Sequence, residues 1–430
     1  RIESPGMNTF YDALETRSPQ AREAALMAAL PGQIAHAQQH SAAFASILAG
    51  MDAASVSSRE ALARLPVTRK YELLERQQAA RASANGNGAN AGKVFGGFSA
   101  LDFGHAMRRV FASPGTIYEP EGTRADYWRM ARTMYAAGFR AGDLIHNSFS
   151  YHFVPAGSMM ETGAHALGCT VFPGGTGQTE QQVQAMVDLQ PAGYIGTPSF
   201  LKLIVEKAAD MGVALPSVKR ALVSGEACPP SLRDWLGERG IAAYQCYATA
   251  DLGLIAYETA AREGLVLDEG VIVEIVRPGT GDPVPEGEVG ELVVTTLNPD
   301  YPLVRFGTGD LSAVLPGTCP TGRTNTRIKG WMGRADQTTK VRGMFVHPGQ
   351  VAEVVRRLPE VLKARLVVGG EMANDHMTLR LETRSTDPAL AERAGEAVRD
   401  ITKLRGAIEM VAPGSLPNDG KVIEDIRSYQ

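Results

Sequence analysis

The sequence predicts an α/β protein, with a large N-terminal domain of doubly wound, mostly parallel sheets followed by a small α+β domain. Over about residues 126–251, short apolar and β-branched runs alternate with segments of helical period. This alternation is typical of βαβ units in a parallel sheet. Over about residues 252–333, apolar runs punctuated by Gly and Pro predict a β-rich subdomain, which completes an N-terminal domain expected at residues 1–333. Residues 334–430 have the length of a separate small domain.

Caps and composition predict the first elements. Ser18 followed by Pro19 predicts a helix start, because serine caps the first amides and proline suits the first helical position. We expect two helices there, Gln20–Leu30 and Pro31–Gly50. The segment Arg81–Gly97 is rich in Gly and Asn and predicts a flexible loop.

The remaining elements follow from hydrophobic periodicity. In the α/β region, the predicted strands are Leu144–Phe149, Thr170–Phe172, Gly193–Gly196, Arg220–Val223 and Ala242–Cys246. The predicted helices are Asp126–Phe139, Pro155–Leu167, Gln178–Leu189, Ser199–Met211 and Pro230–Arg239. The β-rich subdomain is predicted to hold strands Val271–Val276, Gly290–Thr296 and Asp310–Leu315. In the small domain we expect helices Gln350–Leu358 and Pro388–Lys403 with strands Ala364–Val368, Met377–Leu381 and Ile408–Val411.

Composition excludes several classes of protein. The net charge of −4 argues against a general nucleic-acid or anionic-membrane binder. No apolar run approaches the about 18–20 residues of a membrane span. The first residues are polar and lack a signal-peptide core, so we expect a cytoplasmic protein. The four cysteines have no CxxC spacing, which favours reduced thiols over a disulfide frame.

Polar and glycine-rich strings follow several predicted strands. Such sheets bind ligands beyond the carboxyl ends of their strands. The strings at these positions are Ser150, Tyr151 and His152; Pro173, Gly174 and Gly175; Ser224, Gly225 and Glu226; and the run Tyr247, Ala248, Thr249, Ala250 and Asp251. His152 could line a substrate pocket or bond to a neighbouring carbonyl.

Three further strings could bind a nucleotide. Ser113, Gly115 and Thr116 form a small hydroxyl-bearing loop that suits phosphate oxygens, although the same string is common in ordinary turns. Asp310 could accept hydrogen bonds from ribose hydroxyls, and Arg334 could donate to hydroxyl or phosphate oxygens. Each residue lies in a string that is common in turns, but the two strings in this order indicate a nucleotide site more specifically.

Lys421 lies on a glycine turn near the end of the chain. Its ammonium group could stabilise a phosphoryl transition state. The alternative is a solvated surface lysine, which is the usual state of this residue type.

With these residues in view, the chain resembles the phenylacetate–coenzyme A ligase family of adenylate-forming enzymes. The similarity runs from about Tyr11 to the end, and its most specific stretch is Gly322–Val354. The resemblance implies that Lys421 bridges carboxylate and phosphate during adenylation and that Asp336 is the hinge of a mobile C-terminal domain. It implies a magnesium ligand in Asp251 and a coenzyme A channel reached by Arg342 and Gly343.

The same resemblance assigns the ligand pockets. The ATP and AMP positions are Ser113, Gly115, Thr116, Gly225, Glu226, Tyr247, Ala248, Thr249, Asp310 and Arg334. The acyl-pocket positions are Tyr151, His152, Phe153, Gly174 and Gly175. Two aromatics and a histidine suit a small aryl acid, and His152 could equally bind the hydroxyl of a small hydroxy acid.

The implied activity is ATP-dependent ligation of a small carboxylic acid to coenzyme A through an acyl-AMP, with release of AMP and pyrophosphate. The expected cofactors are ATP, Mg²⁺ and coenzyme A, without zinc, and the expected partners are the acid and these co-substrates. We expect no nucleic acid or membrane partner, and leave a homodimer open. Two alternatives remain: transfer of the acyl group to an amine or carrier thiol, and a non-catalytic nucleotide-binding relative.

Three departures from the family pattern concern the phosphate end of the site. The loop lacks the family's lysine and has Glu119 there, which should weaken triphosphate binding unless the side chain points away. Asp251 replaces the usual Glu and is one methylene shorter, so magnesium must lie closer or bind through water. Ala250 lacks a hydroxyl expected to touch the phosphate or acyl oxygen.

Overall fold

The computed structural model describes residues 9–83, 91–335, 337, 339–342, 344–370 and 375–427. The chain divides into two compact units. The first unit comprises residues 1–273, 294–306 and 315–330, and the second comprises residues 274–293, 307–314 and 331–430. No helix within the described ranges is long and apolar enough to cross a membrane.

The regular elements alternate as the sequence predicts. The α-helices are α1 (Pro19–His40), α2 (Ala42–Ile47), α3 (Arg59–Ala63), α4 (Lys70–Ala82), α5 (Ala91–Val94), α6 (Ala131–Ala136), α7 (Ala156–Leu167), α8 (Thr179–Leu189), α9 (Pro198–Asp210), α10 (Pro230–Gly237), α11 (Pro348–Arg356) and α12 (Ala389–Thr402). Short 3-10 helices cover Ala13–Thr16 and Ala53–Ser55.

The strands of the first part of the chain are β1 (Thr68–Arg69), β2 (Met107–Ser113), β3 (Ile117–Gly122), β4 (Leu144–Asn147), β5 (Thr170–Pro173), β6 (Gly193–Gly196), β7 (Arg220–Val223), β8 (Ala242–Thr249), β9 (Gly253–Tyr257) and β10 (Leu265–Leu267). The later strands are β11 (Val271–Val276), β12 (Gly290–Thr296), β13 (Phe306–Ser312), β14 (Val314–Leu315), β15 (Arg327–Ile328), β16 (Thr339–Val341), β17 (Met344–Val346), β18 (Val361–Gly369), β19 (His376–Thr383), β20 (Ala407–Val411) and β21 (Ile423–Asp425).

A nine-stranded sheet dominates the first unit, with the order β14-β15-β10-β9-β8-β7-β6-β4-β5. Its β8-β7-β6-β4-β5 part is parallel. Neighbouring residues of β6 and β7 enter different hydrophobic clusters, with Tyr194 and Ala221 in one and Ile195 and Leu222 in the other. Because successive strand residues face opposite sides, both faces of the sheet are covered. The predicted doubly wound α/β fold is confirmed.

The β-rich region forms a four-stranded sheet in the order β1-β13-β12-β11. Strands β11 and β12 have the predicted bounds and are buried along their whole length. The chain passes between the two units within these strands. The domain boundary expected near residue 333 therefore stays a prediction.

The last part of the second unit is a four-stranded sheet, β20-β19-β18-β21, together with the β16–β17 hairpin. Strands β18 and β19 pair antiparallel, whereas β21 and β20 are added in parallel at the two edges. A hydrophobic cluster that includes Val351, Leu366 and Leu390 joins α11 and α12 to this sheet. The predicted α+β arrangement is therefore present here.

The N-terminal helices differ from the prediction. Helix α1 runs through Pro31 without a break and ends at His40. Leu26, Leu30, Ile34 and Ala37 are buried on both sides of the proline, so packing of one continuous apolar face outweighs the missing hydrogen bond. Part of the expected 81–97 loop is helical, in α4 and α5, and residues 84–90 of it lie outside the described ranges.

Candidate active site

A cleft of about 750 Å³ lies in the first unit, beyond the carboxyl ends of the parallel strands. Its walls come from the β2–β3 turn and from the segments after β4, β6, β7 and β8. Of the residues predicted from the sequence, Ser113, Gly225, Ala248 and Thr249 line it. The parallel sheet therefore brings together, at the carboxyl ends of its strands, residues that are far apart in the sequence.

The phosphate loop is the tight turn of the β2–β3 hairpin, where the sequence indicated only a loop. Gly115 has φ +96° and Thr116 has φ +62°, so the turn needs two residues in the left-handed region. Ser113 is the last residue of β2 and lines the cleft. Pairing of β2 with β3 fixes the position of its hydroxyl relative to the cleft.

Glu119, the residue that replaces the family's lysine, is not among the residues that line the cleft. Its carboxyl group is fully buried and accepts a hydrogen bond from Ser113 Oγ at 2.6 Å. Burial and the nearby charge of Asp251 raise the pKa of Glu119 to about 9. Glu119 is therefore neutral at pH 7 and places no negative charge beside the triphosphate position.

Asp251 lies beside Glu119 and pairs with Lys70, whose Nζ is 3.3 Å from Asp251 Oδ2. Asp251 is almost fully buried, and Lys70 lines the cleft. Within the described part of the chain, Asp251 Oδ1 and Glu119 Oε2 are buried without a hydrogen-bond partner. A carboxylate oxygen such as Asp251 Oδ1 suits Mg²⁺, so Asp251 fits the expected metal.

Sequence reasoning missed Lys70. Lys70 is the first residue of α4. A lysine is unfavourable there, because the amino end of a helix carries a partial positive charge. A lysine at this unfavourable position could have indicated a functional partner for its side chain. The structure shows its partner, the buried carboxylate of Asp251.

The loop after β7 contains Gly225, which lines the cleft and has φ +84°, and the following Glu226. Glu226 Oε1 accepts a hydrogen bond from the backbone N–H of Ser199 at 2.7 Å, which ties this loop to the start of α9. Tyr247 is half-buried on β8, next to the cleft residues Ala248 and Thr249. These positions can bound a flat base.

None of the five predicted acyl-pocket residues is among those that line the cleft. Phe153 is 82% exposed, and His152 is exposed as well. The Tyr151 hydroxyl donates to Glu161 at 2.8 Å and accepts from Asn147 at 2.8 Å. Neighbouring residues line the cleft instead, and of these Ser150 and Ser224 belong to the strings that the sequence placed at strand ends. The apolar ones are Phe149, Val154, Met159, Met160, Phe200 and Leu203, and the hydroxyl-bearing ones are Ser148, Ser150, Thr176, Thr197, Ser199 and Ser224.

Gln182 fixes the segment that contains Gly174 and Gly175. Its Nε2 donates to Gly175 O at 2.8 Å, and its Oε1 accepts from Ser148 Oγ and faces His146 Nε2, both at 2.7 Å. Burial lowers the pKa of His146, which favours its neutral form. A Cβ at Gly174 would lie 2.8 Å from both Gln182 and His146, so this position needs glycine.

The acyl segment is also joined to the phosphate hairpin. The backbone N–H of Ala112, on β2, donates to Phe153 O at 2.7 Å. Phe153 adopts φ +63°, an uncommon conformation for an aromatic residue. The backbone of residue 153 therefore has a structural role even though its ring is exposed.

Asp310 and Arg334, in the second unit, form an ion pair of 2.8 Å and an isolated β-bridge. Asp310 Oδ1 also accepts a hydrogen bond from the Trp331 indole at 3.1 Å. Gly309 has φ +74°, and a Cβ there would lie 2.6 Å from the Arg334 guanidinium. The glycine of this motif therefore makes room for the arginine.

Lys421 follows Gly420 on a turn of the second unit, and its side chain is half-exposed with Nζ 3.9 Å from Glu424. Arg342 donates from its backbone N–H and its Nε to Asp375 at 2.9 and 2.8 Å. The two other predicted positions, Asp336 and Gly343, lie outside the described residues.

Comparison with known proteins agrees with this geometry. The family model of AMP-binding enzymes matches residues 123–298. Phenylacetate-coenzyme A ligase of Thermus thermophilus is 31% identical over 370 residues, which cover 82% of this chain and 78% of that enzyme. The enzyme of the same name from Pseudomonas putida is 33% identical over 299 residues, covering 65% of this chain and 67% of the relative.

Solved structures share the fold. A crystal structure of 2-hydroxyisobutyryl-CoA ligase in the postadenylation state, in complex with 2-HIB-AMP, has a TM-score of 0.71 at 24% identity. The match covers 99% of this chain and 94% of that chain. An open conformation of the same ligase, with 2-HIB-AMP and CoA, gives a TM-score of 0.70 at 24% identity, covering 96% of this chain and 93% of that chain.

The fold, the strand-end cleft and the AMP-binding match define an adenylate-forming enzyme. Similarity to the Thermus and Pseudomonas enzymes narrows this class to one family. The chain belongs to the phenylacetate–coenzyme A ligase family and is an AMP-forming acid–coenzyme A ligase. The predicted family is confirmed.

Proposed function

We propose that this enzyme activates a small aryl or hydroxy carboxylic acid with ATP and transfers the acyl group to coenzyme A. The observation that carries the proposal is the cleft in which the Ser113 turn, Lys70 and the Thr249 segment meet. Hydroxyls and a cation lie at one end of it, and apolar side chains such as Met159 and Phe200 line another part. This combination suits a triphosphate next to a compact acyl group.

In the adenylation step, the substrate carboxylate attacks the α-phosphate, and pyrophosphate leaves. Phosphoryl transfer of this kind depends on positioning and on neutralisation of charge. Ser113, Gly115 and Thr116 hold the pyrophosphate end, and Lys70 supplies the cation that the loop lacks. Lys421 bridges the carboxylate and the α-phosphate oxygens.

The proposal also assigns the residues that bind the nucleotide. Gly225, Glu226 and Tyr247 bound the adenine, with Ala248 and Thr249 beside it. The ribose hydroxyls are bound by Asp310 and Arg334, two residues that already form an ion pair.

Asp251 is the proposed magnesium ligand, because its buried Oδ1 has no donor among the described residues. When bound, Mg²⁺ neutralises the charge that develops on the leaving pyrophosphate. The Lys70 ammonium group orients the other carboxylate oxygen of Asp251 at 3.3 Å.

In the thioester-forming step, we propose that the C-terminal domain turns about Asp336, withdraws Lys421 and brings Arg342 and Gly343 to the coenzyme A channel. The thiol then attacks the acyl carbonyl, and AMP leaves. The boundary of residues 1–333 and 334–430 belongs to this proposal. So does a cytoplasmic location, with the four buried cysteines as thiols.

The acid class is the finer part of the proposal. Tyr151, His152, Phe153, Gly174 and Gly175 remain the proposed acyl-pocket residues, with the apolar cleft side chains providing most of the contact surface. The cleft offers hydroxyl groups on several sides, including Ser148, Ser150 and Thr176, which can bond to a substrate hydroxyl.

The test is release of pyrophosphate from ATP in the presence of a panel of small acids, including phenylacetate and 2-hydroxyisobutyrate, with and without coenzyme A. We expect pyrophosphate release with one class of acid and acyl–coenzyme A in the presence of the thiol. Acyl-hydroxamate with hydroxylamine but no thioester with coenzyme A would instead favour transfer to an amine or carrier. No pyrophosphate with any acid would refute the proposed function.

A further inference from the structure

The turn that bears Lys421, here called the lysine turn and defined as residues 417–423, is held by a side chain from a distant part of the sequence. Gln337 Nε2 donates to Gly420 O at 2.8 Å. Gln337 Oε1 accepts from the backbone N–H of Val422 at 2.6 Å and from that of Ile423 at 2.9 Å. One side chain therefore binds the backbone on both sides of Lys421.

Other contacts make the turn rigid. Arg365, with a side chain 3% exposed, donates to Pro417 O at 3.2 Å and also pairs with Asp419. Asp419 Oδ1 in turn accepts from the backbone N–H of Lys421 at 3.0 Å.

The side chain of Lys421 is less constrained than its backbone. It is 51% exposed, and within the described part of the chain its ion pair is a long one, 3.9 Å to Glu424. A fixed backbone with a movable ammonium group is the arrangement expected of a residue that must enter a site and leave it again.

We propose that Gln337 is a positioning residue for adenylation, which holds the lysine turn so that Lys421 enters the site in one orientation. This inference rests on the proposed function. Gln337 follows the proposed hinge residue Asp336 directly, so it lies on the same side of the hinge as the turn. A change of backbone angles at residue 336 moves Gln337 and Lys421 together and leaves their hydrogen bonds intact.

The test compares the two half-reactions in Gln337→Ala and Gln337→Glu. Adenylation is measured by ATP–pyrophosphate exchange, and thioester formation is measured from synthetic acyl-AMP and coenzyme A. Gln337→Ala should slow exchange by about 10²-fold, because misplacement of a reacting group by about 1 Å has that effect. Its thioester formation and its KM for ATP should stay at wild-type values. Gln337→Glu keeps the acceptor for Val422 and Ile423 but loses the donor to Gly420 O, so its exchange rate should lie between those of wild type and Gln337→Ala.

Gln350→Ala is the matched control. Gln350 is also a glutamine of the second unit that bonds to backbone, with Nε2 donating to Ile401 O at 3.3 Å. Among the described residues its side chain bonds to His347 and Ile401 and not to the lysine turn, so its loss should leave both half-reactions unchanged. Hydrogen exchange adds a readout without substrate: the amides of Val422 and Ile423 should lose protection in Gln337→Ala and keep it in Gln350→Ala.

Wild-type exchange rates in Gln337→Ala, or equal losses in both half-reactions, would overturn the inference. Unchanged protection of the two amides would overturn it as well. A wild-type enzyme that exchanges pyrophosphate with no acid would refute the proposed function itself, and that outcome is distinct because the amide measurement needs no activity.

Discussion

Replacing Glu119 with glutamine should change how stability depends on pH, without harming ATP binding. The amide keeps the acceptor for Ser113 Oγ, whose hydrogen bond to Glu119 is 2.6 Å long. The amide cannot ionise, so no second negative charge can develop beside Asp251 as the pH rises. At neutral pH, we therefore expect Glu119→Gln to be at least as stable as the wild-type protein.

The expected size of this difference in unfolding free energy follows from the raised pKa of Glu119. Burial and Asp251 raise the pKa of Glu119 from 4.5 to about 9. Between these values the folded protein holds a proton that the unfolded chain has released, so stability is lost as pH rises. One such proton changes the unfolding free energy by up to about 1.4 kcal/mol per pH unit. From pH 6 to pH 8, Glu119→Gln should gain up to about 3 kcal/mol relative to wild type.

Urea unfolding at several pH values between about 5 and 9 measures this difference, with the ATP KM determined in parallel. Glu180→Gln is the control, because Glu180 is 72% exposed and its loss should leave the pH dependence unchanged. Parallel curves for wild type and Glu119→Gln would refute the neutral state of Glu119. A large rise in the ATP KM would show that Glu119 faces the triphosphate after all.

Three further outcomes follow from the site. Lys421→Ala should reduce adenylation by about 10²–10³-fold and leave thioester formation from synthetic acyl-AMP intact, and equal loss of both steps would indicate a structural lysine. Lys70→Met should raise the ATP KM by about tenfold or more, because a hydrogen bond to a charged group contributes about 1.5–3 kcal/mol, whereas an unchanged KM would restrict Lys70 to pairing with Asp251. Asp336→Pro should keep single-turnover formation of acyl-AMP and lose thioester formation, since proline fixes φ, and rapid-quench measurement showing both steps intact would contradict a hinge there.

The parallel strands could be predicted because each is a short apolar run, and such runs are buried in a parallel sheet. Arg220–Val223 and Gly193–Gly196 have the predicted bounds, as short buried runs between helices. Pro31 could not be placed correctly, because the apolar face that holds α1 together depends on packing across the molecule. Local signals therefore located the sheet better than the N-terminal helices.

The site was only partly visible in the sequence. Ser113 and Thr249 lie at strand ends, where the general rule for such sheets applies. Lys70 and Gln337 act on residues far along the chain, Asp251 and the lysine turn, and no spacing rule connects them. Glu119 was expected to carry a charge, and its neutral state follows from burial, which only the structure reveals.

The hydrogen bond from Ala112 N–H to Phe153 O joins the strand that ends at the phosphate turn to the segment that borders the acyl group. Ordering of either segment by its ligand lowers the entropy cost of ordering the other. Binding of ATP should therefore tighten binding of the acid, and by thermodynamic reciprocity the acid must tighten binding of ATP by the same factor. The two substrates of adenylation are then cooperative ligands. With an acid that binds poorly, the enzyme should therefore show a higher KM for ATP.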